Sequence, residues 1–339
     1  SAASGGQIAV RRCATKTPSG SDCAEWGTNR TMLERAADGD AVTAMAWGGS
    51  PPFLATANED ENARIWRFDD GTISAPTVLA GHEHPLTTVA VSTDGSRVAT
   101  GGLDRRVLLW DPAAPDAPVK SWTYARQVRE VGFSPDGAQL AVITEGNAIH
   151  VQRLEGEPRK LGEHNGRVND MAWSRSGAWL ITGSGDHTAK IWDVAGGALA
   201  HELKGHTGPV VQVAFNHDDS IALTGSYDTT VRMWIPETGK VRTPSQVVDA
   251  YEGAVTDVAP GCRSGSIFSA AADGSLRNTH VVSVDQQRAL LGVLTDYCIP
   301  PGEAHLLTGL EWEEASRRYK DCLASQAAGG MGAEPFKPE

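Results

Sequence analysis

The chain has 339 residues, a net charge of −12 at pH 7 and an isoelectric point of about 5.3. This acidic balance argues against a broad surface for nucleic acid or anionic lipid, because both need clustered positive charge. A transmembrane helix needs about 18 or more consecutive apolar residues, and the sequence contains no such stretch. The length is large for one compact core, but a repeat protein reaches it by adding units.

The first 37 residues contain three short segments with strand character. They are QIAVRRC from Gln7, CAEWGTN from Cys23 and TMLERAA from Thr31. We expect each of them to form a strand, the last one leading into the first clear repeat.

Three copies of one pattern follow in the middle of the chain. Each copy starts with a His and has a Thr 18 positions later, an Asp four positions after the Thr and a Trp six positions after the Asp. The copies are His82, Thr100, Asp104, Trp110; His164, Thr182, Asp186, Trp192; and His206, Thr224, Asp228, Trp234. The constant spacing identifies a repeat protein.

Three further copies are incomplete. The first keeps Thr56, Asp60 and Trp66 but has Asp38 in place of the His. Two degraded copies, around 128–153 and 255–283, have changed ends: Tyr124 and Gln152 in one, Tyr251 and Thr279 in the other, which retains Ser269 and Asp273.

Strand-like segments surround these residues. The first strands of the copies are predicted in VTAMAW, LTTVAVS, VREVGF, VNDMAW and VVQVAF, each followed by a Gly, Asp, Ser or Pro turn. Third strands end at the Trp, as in RRVLLW, and weaker fourth strands follow, as in ALAHELKGH.

A period of 40 to 45 residues, with Gly-His early and Trp-Asp late, resembles the WD repeat of β-propellers. The matching residues are Gly81-His82 with Trp110-Asp111, Glu163-His164 with Trp192-Asp193, and Gly205-His206 with Trp234-Ile235. The resemblance covers roughly residues 30 to 290. It implies an all-β propeller over residues 38–294, in which residues 1–37 complete or close the ring. Six copies are visible, but seven blades are favoured over six because of the family's habit of closure.

The resemblance also implies a structural role for the His, Thr, Asp and Trp sets. A buried indole N–H needs an acceptor, and the Thr hydroxyl supplies one. A catalytic triad is the alternative, but an active site is built once per domain while these sets recur in every complete copy. We therefore expect no enzyme and no cofactor in this chain.

The cysteines lie outside the clear repeats in two pairs, Cys13 with Cys23 and Cys298 with Cys322. Either they form disulfides in an oxidising compartment or they are thiols in a cytosolic protein. The disulfides are favoured, and with them a periplasmic or secreted location over a cytoplasmic one. No CxxC or HxxxH spacing indicates a metal site.

The C-terminal region, residues 295–339, begins with helix-forming residues and ends in a Gly- and Pro-rich tail. Residues 310–324 place Trp312 and Tyr319 near one face of a short amphipathic helix. With the flanking cysteines, this region resembles the tail of some bacterial WD-repeat proteins.

The function expected from the resemblance is a noncatalytic scaffold for other proteins, within a larger assembly. In the family, contacts fall beside the start of the first strand and just before the turn Asp. Carried onto this chain, the partner-binding positions are Thr43, Glu59, Thr87, Leu103, Gln127, Arg129, Arg167, Asn169 and Tyr227. Arg and Tyr are enriched at binding hot spots, so Arg129, Arg167 and Tyr227 rank first.

Two alternatives remain open. The chain is the sensory part of a signalling enzyme whose catalytic domain lies upstream, or it is an enzyme with a site in the central channel. For the second, the turns GGLDR, GSGDH and GSYDT match neither a nucleophile elbow nor a phosphate loop.

Overall fold

The computed structural model describes residues 2–3, 7–16, 23–33, 41–69, 72–237, 240–241, 249–260 and 266–280, with side chains over 41–68, 73–237, 251–260 and 267–279. This part of the chain is all β and contains no helix. It divides into two compact units, one of Ser1–Val168, Ala172–Leu180 and Trp192–Leu199, the other of Asn169–Met171, Ile181–Ile191 and Ala200–Glu339.

The first unit contains four antiparallel sheets. Their strands are β1 (Ala2–Ala3), β2 (Gln7–Lys16) and β3 (Cys23–Leu33); β4 (Val42–Gly48), β5 (Phe53–Asn58), β6 (Asn62–Asp69), β7 (Thr72–Ile73) and β8 (Thr77–Ala80); β9 (Leu86–Val91), β10 (Val98–Gly102), β11 (Arg106–Trp110) and β12 (Lys120–Thr123); β13 (Val128–Phe133), β14 (Gln139–Thr144), β15 (Ala148–Arg153) and β16 (Arg159–Glu163).

Four strands contribute residues to both units, namely β17 (Val168–Trp173), β18 (Trp179–Ser184), β19 (Ala189–Asp193) and β20 (Ala198–Leu203). The second unit adds two antiparallel sheets, with strands β21 (Val210–Phe215), β22 (Ala222–Ser226), β23 (Thr230–Ile235), β24 (Lys240–Val241) and β25 (Asp249–Ala250); and β26 (Val255–Pro260), β27 (Ser266–Ala271) and β28 (Leu276–His280).

The hydrophobic cores lie between neighbouring sheets of a unit. Phe53 and Ile65 of one sheet are buried with Leu86 and Leu108 of the next, and Tyr251 of the second unit is buried with Leu223 and other apolar side chains. The first strands are central to this packing, since β9 contacts both β4 and β13. The sheet β9–β12 therefore buries both faces, which explains the nearly continuous apolar sequence of its second strand, β10.

The predicted first, third and fourth strands agree with these bounds, including the two degraded copies, which form β13–β16 and β26–β28. One expectation was wrong. CAEWGTN and the first three residues of the next segment, Thr31–Leu33, belong to one strand, β3, where the sequence predicted two. The residues of the predicted C-terminal helix, with Trp312 and Tyr319, lie outside the described residues, as do Cys298 and Cys322. The number of blades and the domain boundaries stay predictions.

The backbone of the first hairpin bears on the predicted disulfide between Cys13 and Cys23. In the register of β2 with β3, Cys13 lies opposite Trp26 and Cys23 lies opposite Lys16. A disulfide needs Cα atoms within about 7 Å, a condition that cross-strand partners meet and residues three positions out of register do not. This hairpin therefore lends no support to the Cys13–Cys23 pair.

Candidate functional site

The first complete set forms a closed chain of hydrogen bonds inside its sheet. His82 Nδ1 lies 2.8 Å from Asp104 Oδ2, and His82 Nε2 lies 2.8 Å from Thr100 Oγ1. The indole Nε1 of Trp110 donates to the same hydroxyl at 2.9 Å. The imidazole side chain is fully buried. Thr100 is buried as well, and its hydroxyl accepts from an indole, so no substrate reaches this set.

The set that starts at His206 repeats this geometry in the second unit. Its three distances are 2.8 Å to Asp228, 2.7 Å to Thr224 and 2.9 Å from the Trp234 indole to the Thr224 hydroxyl. Burial lowers the pKa of His206, although Asp228 acts in the opposite direction. Burial acts to raise the pKa of Asp228, but hydrogen bonds, chiefly from Thr230, hold it at about 2. The charges of this set are fixed at neutral pH.

In the set that starts at His164, the His164 and Trp192 rings pack edge to face, with centroids 6.3 Å apart. Both residues are buried, and so is Thr182.

The incomplete copies replace the missing His in two different ways. In the copy with Asp60, Arg64 forms an ion pair with the Asp60 carboxylate. Trp66 Nε1 still donates to Thr56 Oγ1 at 3.2 Å. In the degraded copies a tyrosine stands in place of the His and makes a hydrogen bond of its own. In the first of them, Tyr124 Oη donates to Gln152 Oε1 at 2.9 Å.

The second degraded copy uses the Tyr251 hydroxyl, which bonds to Ser269 Oγ. The repeat spacing located both tyrosines but did not predict their bonds, because a tyrosine side chain is longer than the His that it replaces.

A β-bulge shapes the start of each first strand for which the register is described, and it sets the direction of the predicted binding residues. Pairing of β13 with β14 steps from Val128 to Glu130, so Arg129 is the extra residue of a bulge. Thr43 and Thr87 are the extra residues in β4 and β9. A bulge turns a side chain away from the regular alternation, and bulges are frequent beside functional sites.

The second group of predicted residues, in the turn before the Asp, lies next to the first group. The backbone N–H of Leu103 donates to Pro85 O at 3.0 Å, and that of Glu59 to Ala41 O at 3.0 Å. Tyr227 makes the same bond, to Pro209 O at 2.9 Å. In each of these sheets, the turn between the second and third strands therefore lies beside the start of the first strand, at one end of the strands. We call this end the loop edge.

The sequence missed Glu145 at this edge. Its N–H donates to Gln127 O at 2.7 Å, so it occupies the position that Leu103 has in the preceding sheet. The signal was absent because Gly146 replaces the turn Asp that marks this position elsewhere.

Three predicted binding residues have their polar groups engaged inside the protein. Thr43 Oγ1 donates to Ala57 O at 3.1 Å, and Asn169 Nδ2 donates to Val210 O at 2.8 Å. Thr87 Oγ1 lies 2.7 Å from Val128 O, a carbonyl of the next sheet. These side chains tie strands together, which leaves them less free to bind a partner.

Six residues remain more available. Leu103 and Tyr227 are large hydrophobic side chains with 37% and 58% of their surface exposed. Glu59 and Arg167 are exposed, and Gln127 and Arg129 are half-buried. Tyr227 belongs to the second unit and the other five belong to the first.

The two arginines influence each other. Burial lowers the pKa of Arg129, and the positive charge of Arg167 lowers it further. Glu130 and Glu145 act in the opposite direction. Within the described part of the chain, neither guanidinium makes a hydrogen bond or an ion pair. An anion that contacts both guanidinium groups stabilises their charges, most of all that of the half-buried Arg129.

Among the described residues, no helix is long and apolar enough to cross a bilayer.

Comparison with known proteins identifies the repeat. The family described as "WD domain, G-beta repeat" matches residues 30–67, 74–111, 157–193 and 197–234. These ranges contain the four copies that keep their Thr, Asp and Trp, and they omit the two degraded ones. With the antiparallel sheets described above, they confirm the prediction of an all-β WD-repeat β-propeller.

Several relatives share these repeats. The chain is 29% identical to human Coronin-7 over 167 residues, 46% of this chain and 18% of that protein. It is 29% identical over 140 residues (36% and 28%) to the chromatin assembly factor 1 subunit FAS2 homolog of Oryza sativa subsp. japonica, and 28% identical over 153 residues (43% and 45%) to small ribosomal subunit protein RACK1y of the same plant. The matches span less than half the length of each of these relatives, and they give no support to the predicted bacterial origin.

Proposed function

We propose that this member of the WD-repeat family is a noncatalytic scaffold that binds another protein through the loop edge of its sheets. The observation that carries the proposal is the availability of Leu103, Arg129 and Arg167 at that edge, on sheets held rigid by buried hydrogen-bonded sets. Rigid frames with functional residues on their loops are the common arrangement of binding domains. Two of the relatives are named as parts of assemblies, chromatin assembly factor 1 and the small ribosomal subunit.

The chemistry of the His sets supports a noncatalytic role. A nucleophile must reach its substrate, but the Thr100 and Thr224 hydroxyls are buried and accept from an indole. A catalytic base must also be accessible to the substrate whose proton it takes, whereas the side chains of His82 and His206 are fully buried.

The partner presents carboxylates to the first unit. Arg129 and Arg167 repel each other, and an acidic segment relieves that repulsion with charge-assisted hydrogen bonds. The protein as a whole is acidic, so a local basic sector also gives the encounter an orientation.

Site-specific photocrosslinking tests the proposal. A photoreactive phenylalanine replaces Leu103 at the loop edge or, as a matched control, Leu199 in the fourth strand β20. The two leucines have similar exposure, 37% and 42%, so their access to bulk solvent is comparable. The full chain is irradiated in extract from its native source, and the crosslinked chains are identified by mass spectrometry.

We expect one discrete protein to crosslink from position 103 and not from position 199. Equal crosslinking from both positions indicates nonspecific contact and contradicts the proposal. A bound small molecule that is turned over by the purified chain would favour the enzyme alternative instead.

An oxidising compartment is a further part of the proposal, based on the placement of Cys298 and Cys322 alone. Peptide mapping without reductant, on protein isolated from its source, tests it. A linked pair supports a periplasmic or secreted location, and free thiols at both positions remove the argument.

A further inference from the structure

A groove of about 300 Å³ lies at the opposite edge of the sheets, where first strands turn into second strands and third into fourth. It runs between the sheet β13–β16 and the turns that follow β17 and β19, all within the first unit. Val151 and Val194 are buried at its floor, and Arg153, Glu157 and Gln139 line its walls. Its volume is at the lower end of the range for ligand sites.

Neighbouring sheets in this fold are tied at this edge by a recurring contact. A long side chain of one sheet donates to the carbonyl two positions after the Trp position of the next sheet. Lys120 Nζ donates to Leu154 O at 2.8 Å, and Arg159 donates to Val194 O through Nη2. Both donors start a fourth strand and both cross to the following sheet.

The sheet β4–β8 makes the same tie with a different residue. Arg67, directly after Trp66, donates to Pro112 O at 3.1 Å. The register places Arg67 opposite Phe53 and Arg153 opposite Gln139, so the two arginines occupy equivalent positions in their sheets.

Arg153 does not make the tie that Arg67 makes. The carbonyl in the equivalent place, that of Val194, accepts from Arg159 instead. Arg159 also donates to Ala195 O at 3.4 Å. Among the described residues, the guanidinium of Arg153 has no hydrogen bond or ion pair, and the same holds for the side chains of Glu157 and Gln139. Three polar groups without partners thus surround an apolar floor.

We propose that this groove binds a short linear segment of a protein, in which an acidic side chain adjoins a small apolar one. The carboxylate pairs with Arg153, whose planar fork of donors suits two parallel hydrogen bonds. The apolar side chain covers Val151 and Val194, and the amide of Gln139 meets the peptide backbone. Glu157 lies on the same rim, and its charge disfavours a dense dianion such as phosphate. This site is independent of the loop edge.

The test titrates the full chain, labelled with ²H and ¹⁵N, with the blocked tetrapeptide Ac-Ala-Glu-Val-Ala-amide and follows the amide signals of Gly156 and Gly177, which border the groove. The neutral probe Ac-Ala-Gln-Val-Ala-amide is the matched ligand. R153Q is the test variant and R67Q is the matched control, because the equivalent Arg67 is already bonded.

We expect saturable shifts with the acidic probe, and at least tenfold weaker binding of the neutral probe, the effect of losing one charge-assisted pair. R153Q should weaken binding of the acidic probe to the same degree without changing Tm. R67Q should lower Tm and leave binding unchanged.

Three results would overturn the proposal. The first is the absence of any shift at peptide concentrations up to about 10 mM, where a site of this class is well occupied. The second is equal binding of the acidic and neutral probes, or of the acidic probe to wild type and R153Q. The third is a fall in Tm for R153Q as large as that for R67Q, since Arg153 would then have an internal partner.

Discussion

Trp110 and His82 share one hydrogen-bonding partner, the Thr100 hydroxyl, which lies 2.9 Å from the indole Nε1 and 2.8 Å from the imidazole Nε2. The three side chains are buried and come from different parts of the repeat. His82 precedes β9, Thr100 lies in β10 and Trp110 lies in β11. One hydroxyl therefore links the whole repeat.

Replacing Thr100 with Val tests this link. Val keeps the volume but removes the acceptor, so the buried indole N–H loses its partner and the free energy of unfolding falls by about 1 to 3 kcal/mol. Thr100→Ser, which keeps the hydroxyl, should cost less. Urea unfolding of the purified variants measures both. A functional loss in Thr100→Val with unchanged stability would instead point to a catalytic set.

Asp170 gives the stability a pH dependence. Its carboxylate accepts from Val213 N at 2.8 Å, but burial raises its pKa to about 6, and Asp257 adds to the shift. The ionised form is therefore disfavoured in the fold relative to the unfolded chain. Stability from this group is full below pH 3.8 and is lost as the pH rises through 6.

Asp170→Asn removes this titration while keeping an oxygen acceptor for Val213. Relative to the variant, the wild type should lose on the order of 2 to 3 kcal/mol between pH 4 and pH 8. Chemical denaturation across that range measures the difference. A difference that does not depend on pH would mean that Asp170 ionises normally.

Thr229 is strained. It has a φ of 71°, in the left-handed region that β-branched residues avoid, at the turn position after Asp228. Asn tolerates this region, so Thr229→Asn should raise the stability by about 1 kcal/mol.

Asn147 provides the control for that change. It occupies the equivalent turn position with a φ of 65° and already suits it. Asn147→Gly should give no gain in Tm. If both changes raise Tm equally, local strain at Thr229 is not the cause.

The sequence was sufficient for the repeats because their signal is local. Constant spacing located Thr100, Asp104 and Trp110, and the hydrogen bonds followed from residue chemistry. It also placed Arg129 and Arg167 beside the starts of successive first strands, and the effect of the Arg167 charge on the pKa of Arg129 agrees with that arrangement.

Contacts between sheets were not predictable in the same way. Lys120 and Leu154, or Thr87 and Val128, are 34 and 41 positions apart, and their bonds depend on side-chain directions that no spacing encodes. A bulge decides where Arg129 lies relative to β14, and bulges have no clear sequence signal here. At the groove, Arg159 rather than Arg153 bonds to the Val194 carbonyl, and no residue spacing predicts that choice.

The central claim is that an acidic partner binds the loop edge at Arg129 and Arg167. The most direct measurement is the affinity of the protein captured through position 103 for the wild type and for the double variant Arg129→Glu, Arg167→Glu, at low and high salt. We expect much weaker binding to the variant, a reversed salt dependence and little change in Tm, because neither arginine makes an ion pair within the described part of the chain. Unchanged affinity and salt dependence in the double variant would contradict the account.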